Sequence, residues 1–175
     1  MITIFAENFN DISQESYDSL VFQKLQIHQL SCPCCQHSGS LIMHGSYQRS
    51  VKRANSLLSL TIQRVLCKEC LSTHALLPAS IVPYSQIQLL DQISIIKLHE
   101  QKASFSDFLE THPLLDENNI KSIIRSYIKH WLERLLSIPL SIFPISQLLL
   151  ETFSHYHRQF MQIKNTKNSL FLTPT

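Results

Sequence analysis

The sequence predicts an α+β chain, with a small antiparallel β module first and a module of three to four helices after it. Three observations predict this. Four cysteines stand in two C-x2-C pairs, Cys32/Cys35 and Cys67/Cys70. Between the pairs, apolar residues alternate at the strand period. After Pro83, apolar residues recur at the helical period instead.

Residues 1–30 read as an acidic lead-in, with four acids against Lys24. Leu20, Val21, Phe22, Leu25, Ile27 and Leu30 can pack a short element against the β module, but the pattern does not fix what kind. Residues 31–84 read as β. Leu58, Leu60 and Ile62 face one way, and Ser59, Thr61 and Gln63 the other. Leu41 to Met43 offers another strand, and His74 to Leu77 a third.

Pro83 marks a boundary, and residues 85–137 read as a helical module. Ser85 has the form of an N-cap, with Gln88 three residues on, and opens a helix over about 86–100. Ser104 and Asp107 open a short helix over 104–111, which Pro113 ends. Asp116 caps a third helix over about 117–137. Its stripe is Ile120, Ile123, Ile124, Tyr127, Ile128, Trp131, Leu132 and Leu135. Trp131 reads as a core anchor. Pro139 stops this helix. A C-terminal segment, 138–163, holds a fourth helix over about 145–163, and 164–175 reads as a tail.

Composition narrows the function. The chain has 175 residues and is 44% hydrophobic, enough to bury a core. Gly39 and Gly45 are its only glycines, so no glycine-rich phosphate cradle can be written. The start lacks a basic region and an apolar run, which predicts no secretory signal. Residues 135–150 carry no charge, but the run is short and broken by Pro139 and Pro144. The expectation is a soluble, cytoplasmic protein with no membrane partner and no small-molecule substrate. In a reducing compartment, paired cysteines point to metal rather than to disulfides.

Zinc favours four tetrahedral sulfur or nitrogen ligands, and a C-x2-C turn brings two thiolates to one metal. Cys32, Cys35, Cys67 and Cys70 therefore read as ligands of one structural Zn2+ in a zinc ribbon. The 31 residues between Cys35 and Cys67 give room for an extended hairpin. Cys34 reads as a spare thiol at the tip, although a C-x-C arrangement would make it a ligand in place of Cys35. His37 and His44 are near enough to compete. Four cysteines close the coordination sphere, which suits a structural metal rather than a catalytic one.

The strings CPCCQHSG (32–39), HGSYQR (44–49), RVLCKEC (64–70), THALLP (73–78) and IVPY (81–84) resemble a group of uncharacterised bacterial proteins. These are similar to the N-terminal zinc-ribbon and helix-turn-helix part of insertion-sequence transposases. The resemblance covers about residues 30–85 and extends loosely into the helices. It implies a DNA-binding ribbon followed by helices, with Cys32, Cys35, Cys67 and Cys70 as ligands. Tyr47, Arg49 and Arg64 fall on family-like positions. Gln36 departs from the glycine that often follows the first knuckle.

Basic residues extend that expectation. Residues 31–85 carry Arg49, Lys52, Arg53, Arg64 and Lys68 against Glu69 alone. Arg49, Lys52 and Arg53 cluster beside Tyr47, and with Arg64 they suit phosphate contact. Lys121, Arg125 and Lys129 recur every four residues beside the apolar stripe of the third helix, which could then enter a DNA groove. Helices over 104–111 and 117–137 would form the helix-turn-helix-like pair. The competing reading is a protein-interaction adaptor, with the ribbon and the apolar helices docking on a partner or on a second copy.

Catalysis is not expected. A transposase needs a carboxylate cluster for two metal ions, and Glu151 is the only acid after residue 138. His99–Glu100 begins like a zinc-protease helix, but Ala103 stands where the second histidine belongs. His155 and His157 fall on different helix faces, and no base is identifiable for Cys34.

Overall fold

A computed structural model describes residues 1–4 and 12–132, without the side chains of His130 and Trp131. The helix expected over 145–163, the tail from 164, Leu135 and the Trp131 anchor lie outside the described residues. The chain divides into two compact units. Among the described residues, the first comprises those within 1–51 and 57–81, and the second 52–56 and 82–132.

The first unit holds a four-stranded sheet in the order β1-β4-β3-β2. Its strands are β1 (Ile2–Ile4), β2 (Leu41–Lys52), β3 (Leu57–Cys67) and β4 (Thr73–Pro78). β3 and β4 are antiparallel, with Val65 opposite His74. β1 lies parallel to β4, with Ile2 opposite Leu76 and Ile4 opposite Pro78. The lead-in thus supplies a strand that its acidic composition did not announce. Three residues are too few for a readable alternation.

The period-two pattern of β3 sets its faces. Leu60 and Ile62 are fully buried, while Thr61 and Ser59 turn outward and bracket Gln48 of β2. Helix α1 (Gln14–Ser19) begins at a reciprocal cap between Ser13 and Ser16. It buries Tyr17 completely. The Tyr17 hydroxyl donates to the Leu76 carbonyl at 3.0 Å and accepts from the Gln63 N–H at 2.8 Å. Gln14 accepts from the Thr61 N–H at 2.7 Å. Side chains of α1 therefore satisfy sheet backbone that would otherwise be orphaned. After α1 the chain makes one wide helical turn, Leu20–Lys24, and a short tight one, Ile27–Gln29. Val21 enters the core, and Leu20, Leu25, Ile27 and Leu30 pack partly against it. Phe22 does not, being largely exposed.

The second unit contains α2 (Leu89–Glu100), α3 (Ser106–Thr111) and α4 (Glu117–Tyr127), the last continued by a wider turn to Leu132. α2 packs against α4, burying Ile93 and Ile96 on one and Ile120, Ile123 and Tyr127 on the other. Asp116 caps α4 in a reciprocal box with Asn119. The two other expected caps shift. Ser85 does not cap a helix, because its hydroxyl accepts from the Ile87 N–H and from Gln92, so α2 starts only at Leu89. Ser104 bonds Ser106 instead, and α3 starts two residues later than the pattern suggests. Both serines find a closer backbone donor in a turn, a competition that short polar side chains often win. On α4, Ile128 departs from the buried stripe and is half exposed, because the helix widens there and rotates the face. Among the described residues, no helix is long and apolar enough to cross a membrane.

Candidate metal centre

Two turns build the centre. The Cys32–Cys35 turn closes through the Gln36 N–H on the Cys32 carbonyl at 2.8 Å and the Cys32 N–H on the His37 carbonyl at 2.9 Å. The Cys67–Cys70 turn leaves the end of β3 and repeats that design. The Leu71 N–H reaches the Cys67 carbonyl at 3.0 Å, and the Cys67 N–H reaches the Ser72 carbonyl at 3.0 Å. Each turn ends on a residue in the left-handed region, Gln36 at φ 61 and Leu71 at φ 56. The backbone therefore takes the glycine-favouring conformation at Gln36 without glycine. Lys68 ties the turns together, its N–H donating to the Ser40 carbonyl at 2.9 Å.

The four Sγ atoms of Cys32, Cys35, Cys67 and Cys70 all lie within 4.8 Å of one another. Cys32 and Cys70 are 3.6 Å apart, as are Cys35 and Cys67. A tetrahedral ion with bonds of about 2.3 Å needs sulfurs about 3.8 Å apart, so this group can hold a metal ion. Cys34 is exposed and stays outside the group, but its backbone N–H points at Cys32 Sγ from 3.4 Å. His37 and His44, both exposed, are not in the group either.

The surroundings favour thiolates. The Ser72 hydroxyl and backbone hold Cys70 down to about 6. Cys67 is also lowered, first by the Ser40 hydroxyl, 3.1 Å from its sulfur. Cys35 has a backbone bond near His37 that favours its charged form, yet desolvation and the neighbouring thiols push it up to about 12. Three sulfurs crowded around a fourth resist a further negative charge until a cation joins them.

His74 completes the arrangement. It is the second residue of β4, is only 7% exposed, and sets Nε2 3.3 Å from Cys32 Sγ. Its Nδ1 lies 3.0 Å from the Met1 nitrogen. The sequence pattern places His74 in a strand and assigns it no further role. A signal was present, since the residue stands just beyond the second knuckle where the chain turns back past the sulfurs.

The residues expected to meet nucleic acid fall in both units. Arg49 on β2 and Arg64 on β3 belong to the first, and both are half-buried. Arg64 Nη2 lies 3.7 Å from where a Cβ on Gly45 would stand, an ordinary contact, so it is the φ of 72 rather than lack of space that suits glycine there. Lys52, Arg53, Lys121, Arg125 and Lys129 belong to the second unit. Lys52 donates to Asn119 of α4 at 3.1 Å. Lys121, Arg125 and Lys129 are exposed, and Lys121 pairs with Glu117 at 2.8 Å.

Residues 32–111 match the family model of a domain of unknown function, DUF6431. The matched stretch takes in all four cysteines, β2 to β4, α2 and α3, and stops before α4. No curated protein matches the chain, and no solved structure does.

Proposed function

We propose that this protein is a non-catalytic DNA-binding protein, related to transposase N-terminal regions, whose four-cysteine centre holds one structural zinc. In this reading zinc fixes the two turns, and α3 and α4 act as a helix-turn-helix-like pair. α4 lies in the major groove.

The observation that carries the reading is the division of α4 into two faces. Ile120, Ile123 and Tyr127 are buried on one side. Asn118, Lys121, Ser122, Arg125 and Lys129 are exposed on the other side or its continuation. Amides, hydroxyls and cations can bond phosphates and base edges, and Glu117 is the only acid within α4. Zinc is favoured over softer or redox-active metals because four thiolates in a tetrahedron suit it and close its sphere.

The test is retention of the zinc-loaded protein on duplex DNA across a salt series. Affinity is expected to fall steeply with salt through counterion release. Replacing Lys121, Arg125 and Lys129 together with alanine should flatten the slope of log affinity against log salt by about two to three. Retention that ignores salt and the triple substitution would overturn the reading in favour of the adaptor.

A further inference from the structure

We propose that Tyr84 and Lys52 form a site for an unpaired nucleotide of DNA, with the base stacked on the phenol ring and its phosphate on the ammonium. The proposal rests on the DNA-binding reading and adds a second mode of contact to it.

Tyr84 stands where local energetics would not put it. Val82 to Ser85 make a tight turn, closed by the Ser85 N–H on the Val82 carbonyl at 3.2 Å. Pro83 takes the second position, and Tyr84, at φ 61, takes the third. That position favours glycine or asparagine, because a Cβ is strained there. Burial does not compensate, since Tyr84 is 95% exposed. An aromatic ring held out in water on a strained backbone is a feature of binding sites.

The ring borders a cleft of about 250 Å³ whose polar lining is Lys52, Ser85, Gln86, Asn119 and Ser122. No acid lines it. Lys52 is held in place by Asn119 at 3.1 Å and by its own backbone N–H on the Gln86 carbonyl. An ammonium, amides and hydroxyls beside an exposed ring supply the contacts that a nucleotide uses, namely charge on phosphate, hydrogen bonds and stacking. Asn119 and Ser122 are α4 residues, and Ser122 adjoins Lys121 on the exposed face. DNA lying along α4 would therefore pass the cleft. Inside a continuous duplex both faces of a base are covered by its stacked neighbours, so the nucleotide taken is one outside the stack, at a bulge or in a single-stranded extension.

The experiment measures affinity for a blunt duplex and for the same duplex with a single-stranded extension. The full chain is used, loaded with zinc. The wild type should prefer the extended DNA by about tenfold. Tyr84→Ala should lose that preference and keep the blunt-duplex affinity, while Tyr84→Phe should keep both. Tyr84→Gly should also lose the preference while melting no lower than the wild type, because the left-handed position welcomes glycine, and this separates lost binding from lost folding. The proposal is overturned if Tyr84→Ala keeps the preference. It also falls if the wild type shows none while the substitutions at Lys121, Arg125 and Lys129 still weaken duplex binding, an outcome that leaves the DNA-binding reading standing. Failure to bind either DNA would sink both.

Discussion

His74 Nε2 lies 3.3 Å from Cys32 Sγ, and both groups are buried. An imidazole at that distance can donate to a thiolate, fixing its direction and spreading its charge. Removing such a partner from a metal ligand usually lowers metal affinity by about 10–100-fold. His74→Ala is expected to fall in that range, measured by competition with a chromophoric zinc chelator. His74→Gln, which keeps a donor, should recover part of the loss. Equal affinities for all three proteins would make His74 a packing residue only.

Cys34 and Cys35 are adjacent in sequence, yet only Cys35 joins the four-sulfur group. Cys67→Ser should therefore abolish metal binding, and Cys34→Ser should leave the metal content unchanged, both read by elemental analysis of the purified protein. The loss should propagate less far than in a free-standing zinc finger, which unfolds without metal. Tyr17, Leu60, Ile62 and Leu76 belong to an apolar core that takes in Cys32 and Cys67 but extends well beyond the cysteine turns. A chelator should lower the melting temperature and speed amide exchange at the cysteine turns while the sheet persists. Complete loss of sheet circular dichroism would show the core to depend wholly on the metal.

Leu71 is 74% exposed at φ 56, and Gln36 is exposed at φ 61. A side chain in the left-handed region costs roughly 1–2 kcal/mol, and the extra freedom of unfolded glycine returns part of that. Leu71→Gly should stabilise the metal-loaded protein by about 0.5–1 kcal/mol, and Gln36→Gly by a similar amount. Urea unfolding is the check. Destabilisation by Leu71→Gly would mean that its side chain makes a contact its exposure does not suggest.

How far the fold was legible depended on the length of each signal. The spacing of Cys32, Cys35, Cys67 and Cys70 selects the four residues whose sulfurs converge, because knuckle geometry is local. The alternation around Leu60 and Ile62 marks β3, which is eleven residues long. β1 is three residues long and pairs with a strand some seventy residues away, so no local pattern can reveal it. The role of Tyr17 was invisible for the same reason, since its partners lie on β3 and β4. Asp116 and Ser85 both read as caps and only Asp116 is one, because the turn after Pro83 offers Ser85 the Ile87 N–H before any helix begins. Tyr84 lay in a string already singled out, but its exposure and positive φ are properties of the folded turn alone.

Tyr17 links α1 to two strands through a single oxygen. Its hydroxyl bonds the Leu76 carbonyl and the Gln63 N–H, and burial, the largest cause, pushes its own ionisation up to about 12. Tyr17→Phe keeps the ring and leaves two backbone groups without this partner. Each unsatisfied buried group costs about 1–3 kcal/mol. The variant should lose about 2–4 kcal/mol in chemical denaturation, with Gln63 the amide whose exchange rises most. A loss under about 0.5 kcal/mol would mean that water or a shifted backbone replaces the hydroxyl.

Asp91, in the first turn of α2, lies 3.5 Å from His112 Nε2, so two opposed influences act on its carboxyl. Burial, the larger, raises its pKa above the ordinary 3.8, and His112 draws it back down. A carboxyl whose folded pKa is raised binds its proton more tightly in the native state. The stability it contributes is complete below about pH 3.8 and is lost as pH rises through the raised value. Asp91→Asn cannot ionise and has no such loss. The melting temperature of Asp91→Asn relative to wild type should therefore climb as pH rises from about 3.5 to 5.5. A constant offset between the two proteins, from the lost helix-dipole contact or the weakened bond to His112, does not alter that trend. A relative melting temperature that falls over this window would mean that the attraction to His112 outweighs burial and that Asp91 is held as a stabilising anion.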